Sequence, residues 1–410
     1  MSDTAFLTIV TRDYYGWAKT WASSIREHHQ DADIIIAFAD TPTTAHEACL
    51  DEYRTLRITD HSEELGIGNY HRMSFQYTPF ELTCALKPFV VRQLHKQYER
   101  VIYLDADTFV YRPLNDIMDV LASQQIVVTP HLLEPQTIEK ESRIRAAGTL
   151  NGGFLATRRG SISQQFLGWW SDRCRQECYI DPFAGRFVDQ SWLELASSFF
   201  ESFHLIREPT LNVAYWNLPS RPLTEKNGAF FVKDLPLGFF HFSGFDPQKP
   251  NFISRFDNQV LSSDLLKLTT DYGDRLRAND QRELHDIPCE FKAYRDGTEI
   301  APIHREAIRS QLPEFADIAN PFDTLSHPEL PDQLNAAREK LILSRKHWQL
   351  EELQKLADRQ TEWIQKRVNR RIDKRVMNTI RNLCVYVSDT VFSRKKNPDD
   401  SAEATENKAA

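Results

Sequence analysis

The 410-residue chain has no uninterrupted apolar run close to the roughly 20 residues that a membrane-spanning helix needs. Any membrane contact is therefore expected to be peripheral. The N-terminus lacks a basic segment followed by an apolar stretch, and the six cysteines lack the spacing of a disulfide framework, so a cytoplasmic protein is predicted. Basic residues are not in excess, since the formal net charge is -8, which argues against a general nucleic-acid binder.

Common cofactor and metal motifs are also missing. There is no Walker A loop, and the short G-I-G at residues 66–68 does not continue into a dinucleotide fingerprint. Cys174 and Cys178 stand four residues apart, but no second cysteine or histidine pair has the spacing of a zinc site. A P-loop enzyme, a dinucleotide-binding dehydrogenase and a structural zinc domain are therefore not indicated.

Strand-like and helix-like segments alternate over the first third of the chain. Apolar runs without polar alternation at Phe6–Val10, Ile34–Phe38 and Val101–Leu104 are typical of strands covered on both faces, and helical spacing separates them at Trp17–Ile25 and Leu82–Leu94. This alternation predicts an α/β fold in which ligands collect at the carboxyl ends of parallel strands. Further strands are expected at 126–129, 153–157 and 238–242, and further helices at 161–176 and in the second half of 185–200.

The composition divides the chain into four parts. Residues 1–262 contain the predicted α/β domain. Residues 263–328 are polar and interrupted by prolines, and they form an accessory region whose fold the pattern does not predict. Residues 329–393 are nearly free of glycine and proline and rich in helix formers, so a helical extension is expected there. Residues 394–410 are mostly small or polar and are expected to be disordered.

The predicted extension includes a basic amphipathic helix. Ile364, Val368, Ile372, Val376 and Ile380 recur at every fourth position, and lysines and arginines fill the positions between them. Such a helix, here over residues 363–396, suits an anionic membrane surface or an acidic partner. Packing on its own domain, or pairing with a second copy of the chain, fits the same pattern. The sequence leaves these alternatives open.

Two aspartates, Asp105 and Asp107, directly follow the predicted strand Val101–Leu104. Carboxylates at positions i and i+2 of a strand exit can converge on one Mg²⁺ or Mn²⁺ ion, which keeps coordination positions free for phosphate oxygens. His241 follows another apolar run in G-F-F-H-F-S-G and is a candidate third ligand. Because aspartate also commonly begins a loop or caps a helix, the short motif by itself leaves both interpretations open.

Two further segments add polar groups to this set. Asn151-Gly152-Gly153 precedes the expected strand F-L-A-T, and its glycines allow a ligand to approach the backbone closely. Asp189-Gln190 places a carboxylate and an amide where a loop meets a helix. A metal-dependent site for a diphosphate is therefore favoured over a simple loop cap.

A phosphatase of the haloacid-dehalogenase type is a remote alternative. Such enzymes also begin with an apolar strand and D-x-D, but they need threonine or valine where this chain has Phe109. Gly273-Asp274 and Asp280 match the late acidic motif of these enzymes only poorly, because no apolar strand precedes them. The pattern therefore favours the diphosphate site.

The ordered set of motifs resembles the GT-A-fold glycosyltransferases related to family 8, the glycogenin and lipopolysaccharide galactosyltransferase group. The resemblance spans residues 4–255 and rests on T-I-V-T-R-D-Y-Y, A-L-K-P-F-V, V-I-Y-L-D-A-D-T-F-V-Y-R-P-L, N-G-G-F, D-Q-S-W and H-F-S-G-F-D-P-Q-K-P. It implies a GT-A, Rossmann-like fold with a mixed, mainly parallel sheet flanked by helices, and residues 1–262 as the catalytic domain. It also implies retaining transfer of a hexose from a nucleotide sugar to a glycan or lipid-linked acceptor.

The resemblance implies roles for single residues as well. Asp105 and Asp107, with Ala106 between them, would hold Mn²⁺ or Mg²⁺ on the diphosphate of a UDP-sugar, and His241 would be the third ligand. Asp189 or Gln190 would stabilise the cationic sugar. The other implied donor contacts are Thr11, Arg12, Tyr14 and Tyr15 at the base, Lys87 near the phosphates and sugar, Asn151 and Gly152 at the sugar, and Gly244 and Lys249 at the diphosphate.

The late motif departs from the family pattern. Where H-x-x-G-x-x-K-P is common, four residues separate Gly244 from Lys249 in this chain, so Lys249 is two positions out of step. A competing class is a scaffold protein that kept the fold, lost the chemistry and acts through its C-terminal helix. The joint presence of both aspartates, His241 and the lysine argues against that class.

Overall fold

The computed structural model describes residues 2–257, 260–280, 282–337, 354–355, 357–362 and 378–383. Residues 1–338 form one compact unit and residues 339–410 a second. The accessory region therefore lies in the same unit as the α/β domain. Most of the predicted amphipathic helix and all of the predicted tail lie outside the described residues, although residues 357–362 and 378–383 are helical, in agreement with a helical extension.

Strands and helices alternate along the first unit, as predicted. The strands are β1 (Thr4–Val10), β2 (Asp33–Phe38), β3 (Arg54–Arg57), β4 (Arg100–Leu104), β5 (Thr108–Val110), β6 (Ile126–Pro130), β7 (Leu150–Arg158), β8 (Ile180–Asp181), β9 (Arg186–Phe187), β10 (Phe203–Leu205), β11 (Leu223–Lys226), β12 (Ala229–Val232), β13 (Leu235–Pro236) and β14 (Phe239–His241). The α-helices are α1 (Tyr15–His28), α2 (Thr44–Ala48), α3 (Tyr70–Gln76), α4 (Pro79–Leu94), α5 (Asn115–Leu121), α6 (Ile138–Ala147), α7 (Ser161–Cys174), α8 (Gln190–Phe199), α9 (Ser263–Asn279), α10 (Arg282–His285) and α11 (Pro302–Arg309). Short 3-10 helices lie at Arg12–Tyr14, Thr59–His61, Pro182–Ala184, Glu290–Lys292 and Pro313–Phe315.

The central sheet has seven strands in the order β10-β6-β7-β4-β1-β2-β3. Its neighbouring strands are parallel except at β7, which runs antiparallel to both β4 and β6. The predicted fold class, a mixed and mainly parallel sheet flanked by helices, is confirmed. No helix in the described part of the chain has both the length and the apolar character needed to cross a bilayer.

The order of the strands around β1 positions the site. β2 lies on one side of β1, and β4 returns to its other side. The segments that follow the carboxyl ends of β1 and β4 therefore meet across a crevice, as expected at a switch point of an open α/β sheet. These segments are residues 11–15 and 105–107, and both contain site residues predicted from the sequence.

A separate pair of strands brings His241 to the same place. β14 runs antiparallel to β5, with His241 opposite Thr108 and Phe240 opposite Phe109. The backbone N–H of Phe242 donates to the carbonyl oxygen of Asp107 at 2.7 Å. The apolar pattern predicted this strand but not its partner, because periodicity reports only which face of a strand is buried.

β7 begins earlier than predicted. It starts at Leu150, so Asn151, Gly152 and Gly153 lie inside the strand and not ahead of it. Glycine usually weakens a strand, which is why the pattern placed the boundary after it. The register with β6 shifts between Val128 and Thr129, opposite this segment, and such irregularities often re-aim side chains beside functional sites.

The accessory region packs on the α/β domain through α9. The ring of Tyr272 stacks on Phe242 with centroids 3.7 Å apart. Leu268 is fully buried beside them, in a cluster that also contains Phe109 and Phe245. This cluster includes residues of the segment that carries His241. Residues of the accessory region therefore help to support the site.

Leu268→Ala is expected to lower the free energy of unfolding of the first unit by about 2–5 kcal/mol, because it leaves a cavity in a cluster shared with the α/β domain. Leu266→Ala, in the same helix and 39% exposed, is the matched control and should cost less than about 1 kcal/mol. Urea unfolding followed by tryptophan fluorescence and circular dichroism measures both. Loss of helical signal in Leu268→Ala well before the fluorescence transition would contradict this shared core.

Candidate metal centre

Three side chains converge at the carboxyl end of β4. One potential ligand atom from each of Asp105, Asp107 and His241 lies within 4.8 Å of the other two. Nε2 of His241 is 3.1 Å from Oδ1 of Asp107 and 3.9 Å from Oδ2 of Asp105. The imidazole is buried, whereas both carboxylates are partly exposed. In the described parts of the chain no other group of three such side chains comes this close together.

A tight turn aims the two carboxylates. The carbonyl oxygen of Asp105 accepts hydrogen bonds from the backbone N–H and the hydroxyl of Thr108, at 3.0 and 2.8 Å. The carboxylate of Asp105 is thus not needed to close the turn, and it accepts a hydrogen bond from the Tyr103 hydroxyl at 2.6 Å. The convergence with His241 favours a metal site over a simple loop cap.

An amide orients the imidazole. Nδ1 of His241 is 3.2 Å from Oδ1 of Asn212, and the Trp216 ring packs edge-on against the imidazole at 5.2 Å. The side-chain nitrogen of Asn212 donates to Thr129 at 2.7 Å and to Asn151 at 3.0 Å. When Nδ1 donates to an amide oxygen, the lone pair of Nε2 points at the aspartates, as a metal ligand requires. Asn212 was not predicted as a site residue, because nothing in its local sequence pattern marks it.

The charges of the cluster act on one another. Burial by itself would lower the pKa of His241, but Asp107 and Asp105 outweigh burial and raise that pKa above its ordinary value. Burial opposes ionisation of Asp105, yet Lys87 and His241 hold the pKa of Asp105 below its ordinary value. Asp105 is therefore ionised at neutral pH, and a divalent cation would compete with a proton for His241.

Glycine leaves room for the cluster where β7 passes behind it. A Cβ on Gly153 would overlap Cε1 of His241 and come within 2.8 Å of Oδ2 of Asp105 and Oδ1 of Asn151. Any larger residue would therefore displace a ligand side chain. Two carboxylates and one imidazole form a donor set that suits Mn²⁺ or Mg²⁺, so the residues present fit the predicted metal.

Lys87 lies buried beneath the cluster. Its Nζ is 2.9 Å from the carbonyl oxygen of Gly152, 3.1 Å from Oδ2 of Asp189 and 3.3 Å from Oδ1 of Asp105. The carbonyl oxygen accepts a hydrogen bond from the ammonium group, and the two carboxylates form ion pairs with it. Burial would lower the pKa of Lys87, but the two aspartates raise it well above its ordinary value, so the side chain stays charged.

The predicted catalytic pair is connected to the cluster through Lys87. Asp189 is buried at the start of α8, and burial raises its pKa although Lys87 acts in the opposite direction. Gln190 accepts a hydrogen bond from the backbone N–H of Gly152 at 3.1 Å and donates to the carbonyl oxygen of Ala147 at 2.6 Å. Asp189 and Gln190 therefore lie directly against the glycine segment of β7.

The two tyrosines predicted to stack on a base differ in exposure. Tyr15 is fully buried and packs edge-on against His46, with ring centroids 5.2 Å apart. Tyr14 is 51% exposed, and its ring is 6.0 Å from that of Trp17. Burial of the hydroxyl, followed by the nearby charge of Asp107, raises the pKa of Tyr14. Tyr14 is therefore the tyrosine whose ring is available beside the metal cluster.

The other predicted residues of the N-terminal loop make internal contacts. Thr11 is buried and donates its hydroxyl proton to Asp13 at 2.6 Å. The backbone N–H of Arg12 donates to Asp40 at 2.8 Å, and its guanidinium lies 3.6 Å from the same carboxylate. These contacts stabilise the loop that carries Tyr14.

The remaining predicted donor-site residues are Ala106, Gly244 and Lys249. Ala106 is buried between the two aspartates, and Gly244 has a φ of 72°, a conformation that favours glycine. The side chain of Lys249 is 70% exposed and its Nζ lies 3.6 Å from Oδ2 of Asp246, within its own loop. The predicted contact of Lys249 with a diphosphate stays a prediction.

No protein-family model matches the chain. Two proteins of Bacillus subtilis (strain 168), both described as uncharacterized, are similar to it. YfnF is 26% identical over 253 residues, which is 59% of this chain and 81% of that protein, and YfnD is 23% identical over 260 residues, or 60% and 79%. These relatives carry no known activity that could be transferred to this chain.

Solved structures with some likeness to the chain are glycosyltransferases. The galactosyltransferase LgtC, solved with donor and acceptor sugar analogues, is 13% identical, with a TM-score of 0.39 over 67% of this chain and 95% of that one. The glycosyltransferase GlyE of Streptococcus pneumoniae TIGR4 is 15% identical, with a TM-score of 0.40 over 68% and 63%. These scores are too low to support a function, so the evidence on function comes from the side chains of the site.

Gly153→Ala is expected to weaken Mn²⁺ binding by about tenfold or more, because the new methyl group displaces His241 or Asp105. Gly168→Ala, where a Cβ meets nothing within 4 Å inside α7, is the matched control and should leave Mn²⁺ affinity unchanged while slightly stabilising the protein. Isothermal titration with Mn²⁺, together with thermal melting, measures both effects. Equal Mn²⁺ affinities in the two variants would show that these ligands do not hold the ion.

Proposed function

We propose that the chain is a metal-dependent glycosyltransferase that moves a hexose from a nucleotide diphosphate sugar, by resemblance a UDP-sugar, to a glycan or lipid-linked acceptor. The convergence of Asp105, Asp107 and His241 at the switch point of the sheet is the observation that carries this proposal. Three protein ligands leave coordination positions open for phosphate oxygens. The exposed ring of Tyr14 across the crevice supplies a surface on which a base can stack.

The protein groups around the site would divide the work. A divalent cation, when bound, would neutralise negative charge that develops on the departing nucleoside diphosphate. Asp105, Asp107 and His241 would hold it, and Asn212 would keep Nε2 of His241 directed at it. Because these groups are positioned before the reaction, little reorganisation is needed in the transition state.

Asp189 is proposed to act on the sugar. Its carboxylate is buried and 3.1 Å from Lys87, which keeps the pair close to Asp105. Positive charge that develops at the anomeric carbon would be stabilised by this carboxylate and by the amide oxygen of Gln190. Retention of configuration is implied by the resemblance alone, and neither residue is assigned as a covalent nucleophile.

The competing proposal is a scaffold that kept the fold without the chemistry. A scaffold has no need for a buried lysine that joins the first metal-ligand aspartate to Asp189, nor for a glycine without which His241 would be displaced. The enzyme interpretation accounts for both features. It leaves the choice of sugar and acceptor to experiment.

A panel of nucleotide sugars, incubated with the full-length protein and Mn²⁺ but without acceptor, tests the proposal directly. We expect slow release of the nucleoside diphosphate from one of these sugars and a loss of about 100-fold or more in Asp107→Ala, because a metal ligand is removed. Asp234→Ala is the matched control, since this aspartate is 85% exposed and paired with Lys226. Release that is absent from every sugar, or that survives in Asp107→Ala, would overturn the assignment.

A further inference from the structure

The accessory region reaches the N-terminal loop through one lysine. Nζ of Lys292, in the 3-10 helix Glu290–Lys292, lies 2.6 Å from Oδ2 of Asp13. Asp13 directly precedes Tyr14, whose side chain is 51% exposed and whose hydroxyl is within the influence of the Asp107 charge. The side chain of Lys292 is 51% exposed, so an incoming ligand can reach its ammonium group.

Several hydrogen bonds hold this segment across the carboxyl ends of β1 and β2. Asp40, at the end of β2, accepts hydrogen bonds from the backbone N–H groups of Arg12 at 2.8 Å and of Glu290 at 3.3 Å. The carboxylate of Glu290 in turn accepts from the backbone and the hydroxyl of Thr41, at 2.9 and 3.0 Å. Nε of Arg12 donates to the carbonyl oxygen of Pro288 at 2.8 Å. The position of Lys292 is therefore set by the α/β domain.

A buried arginine anchors the same segment from the other side. Arg305, on α11, donates to the carbonyl oxygens of Phe75 at 3.0 Å, Tyr77 at 2.5 Å and Phe291 at 2.6 Å. Phe291 immediately precedes Lys292 in the chain. Hydrogen bonds from a buried charged donor are strong, so the lysine is held on a rigid support.

Charge at the site limits which lysine can meet a diphosphate. Asp105 and Asp107 are partly exposed at the metal cluster, Asp189 is buried beside Lys87, and Asp13 lies in the N-terminal loop, so a diphosphate would add negative charge to an acidic region. Lys87 is buried and already forms ion pairs with Asp105 and Asp189. Lys249 is directed at Asp246 in its own loop. Of these three lysines, Lys292 is the one that is both exposed and close to Tyr14.

We infer that Lys292 contacts the phosphates of a bound nucleotide, so that residues of the accessory region form part of the donor site. This inference rests on the proposed function. One N–H of Lys292 points at Asp13, and an ammonium has two more to offer to a phosphate oxygen. The charges of Asp107, Asp13, Arg255 and Lys292 all act on the hydroxyl of Tyr14, so Lys292 lies near this residue together with a second cation, Arg255.

Isothermal titration of the full-length protein with UDP in the presence of Mn²⁺, and separately with uridine, tests the inference. Lys292→Ala is expected to weaken UDP binding about tenfold, the loss typical of one hydrogen bond to a charged group, and to change uridine binding by less than about twofold. Lys292→Arg should restore most of the UDP affinity. Lys226→Ala is the matched control, because Lys226 is 56% exposed and paired with Asp234 at 2.7 Å.

The outcomes separate the inference from the proposed function. If the unmodified protein does not bind UDP with Mn²⁺, the proposed donor site is wrong, and the inference about Lys292 is wrong as well. If it binds but Lys292→Ala behaves as Lys226→Ala does, the inference alone is wrong. If Lys292→Ala weakens UDP and uridine equally, or lowers the melting temperature well below that of Lys226→Ala, Lys292 only holds the loop in place, and the phosphate contact is refuted.

Discussion

The site depends on a buried ammonium group between two carboxylates. Lys87 contacts Asp105, Asp189 and the carbonyl oxygen of Gly152, and these belong to the β4 exit, the start of α8 and the antiparallel strand β7. Removing one partner of a buried ion pair typically costs about 3–5 kcal/mol, because the remaining charge is left without compensation. As long as Lys87 stays charged, it holds these three elements together. This contact also sets the distance between the metal ligands and Asp189.

The sheet explains why the ligands meet although they are far apart in sequence. Asp105 and Asp107 leave β4 beside β1, and the β5–β14 pairing delivers His241 to the same turn. A bulky residue in β7 would close the space behind them, so the glycine segment is a condition for the cluster and not a flexible hinge. On one side of the site the backbone of the β7 glycine segment lies close to the ligand side chains, and on the other side the crevice is open.

The accessory region packs into the α/β domain, which its composition did not predict. Its polar, proline-interrupted sequence gave no indication of a fold, yet Tyr272 stacks on Phe242 and Arg305 binds carbonyl groups of the α/β domain. Residues 1–338 accordingly form one compact unit. If Lys292 contacts a bound nucleotide as inferred, nucleotide affinity depends on the folding of the accessory region.

The sequence by itself determined the fold class and most of the metal cluster. Continuous apolar runs identified β1, β2, β4 and β14, because burial on both faces of a strand leaves a local signal. The D-x-D motif and His241 could be predicted as metal ligands because they directly follow such runs. The tertiary structure alone decided which strands pair, that Asn212 orients His241, that Lys87 is buried between Asp105 and Asp189, and that Lys292 reaches Asp13. These contacts join residues up to 279 positions apart, and such pairings leave no trace in local periodicity.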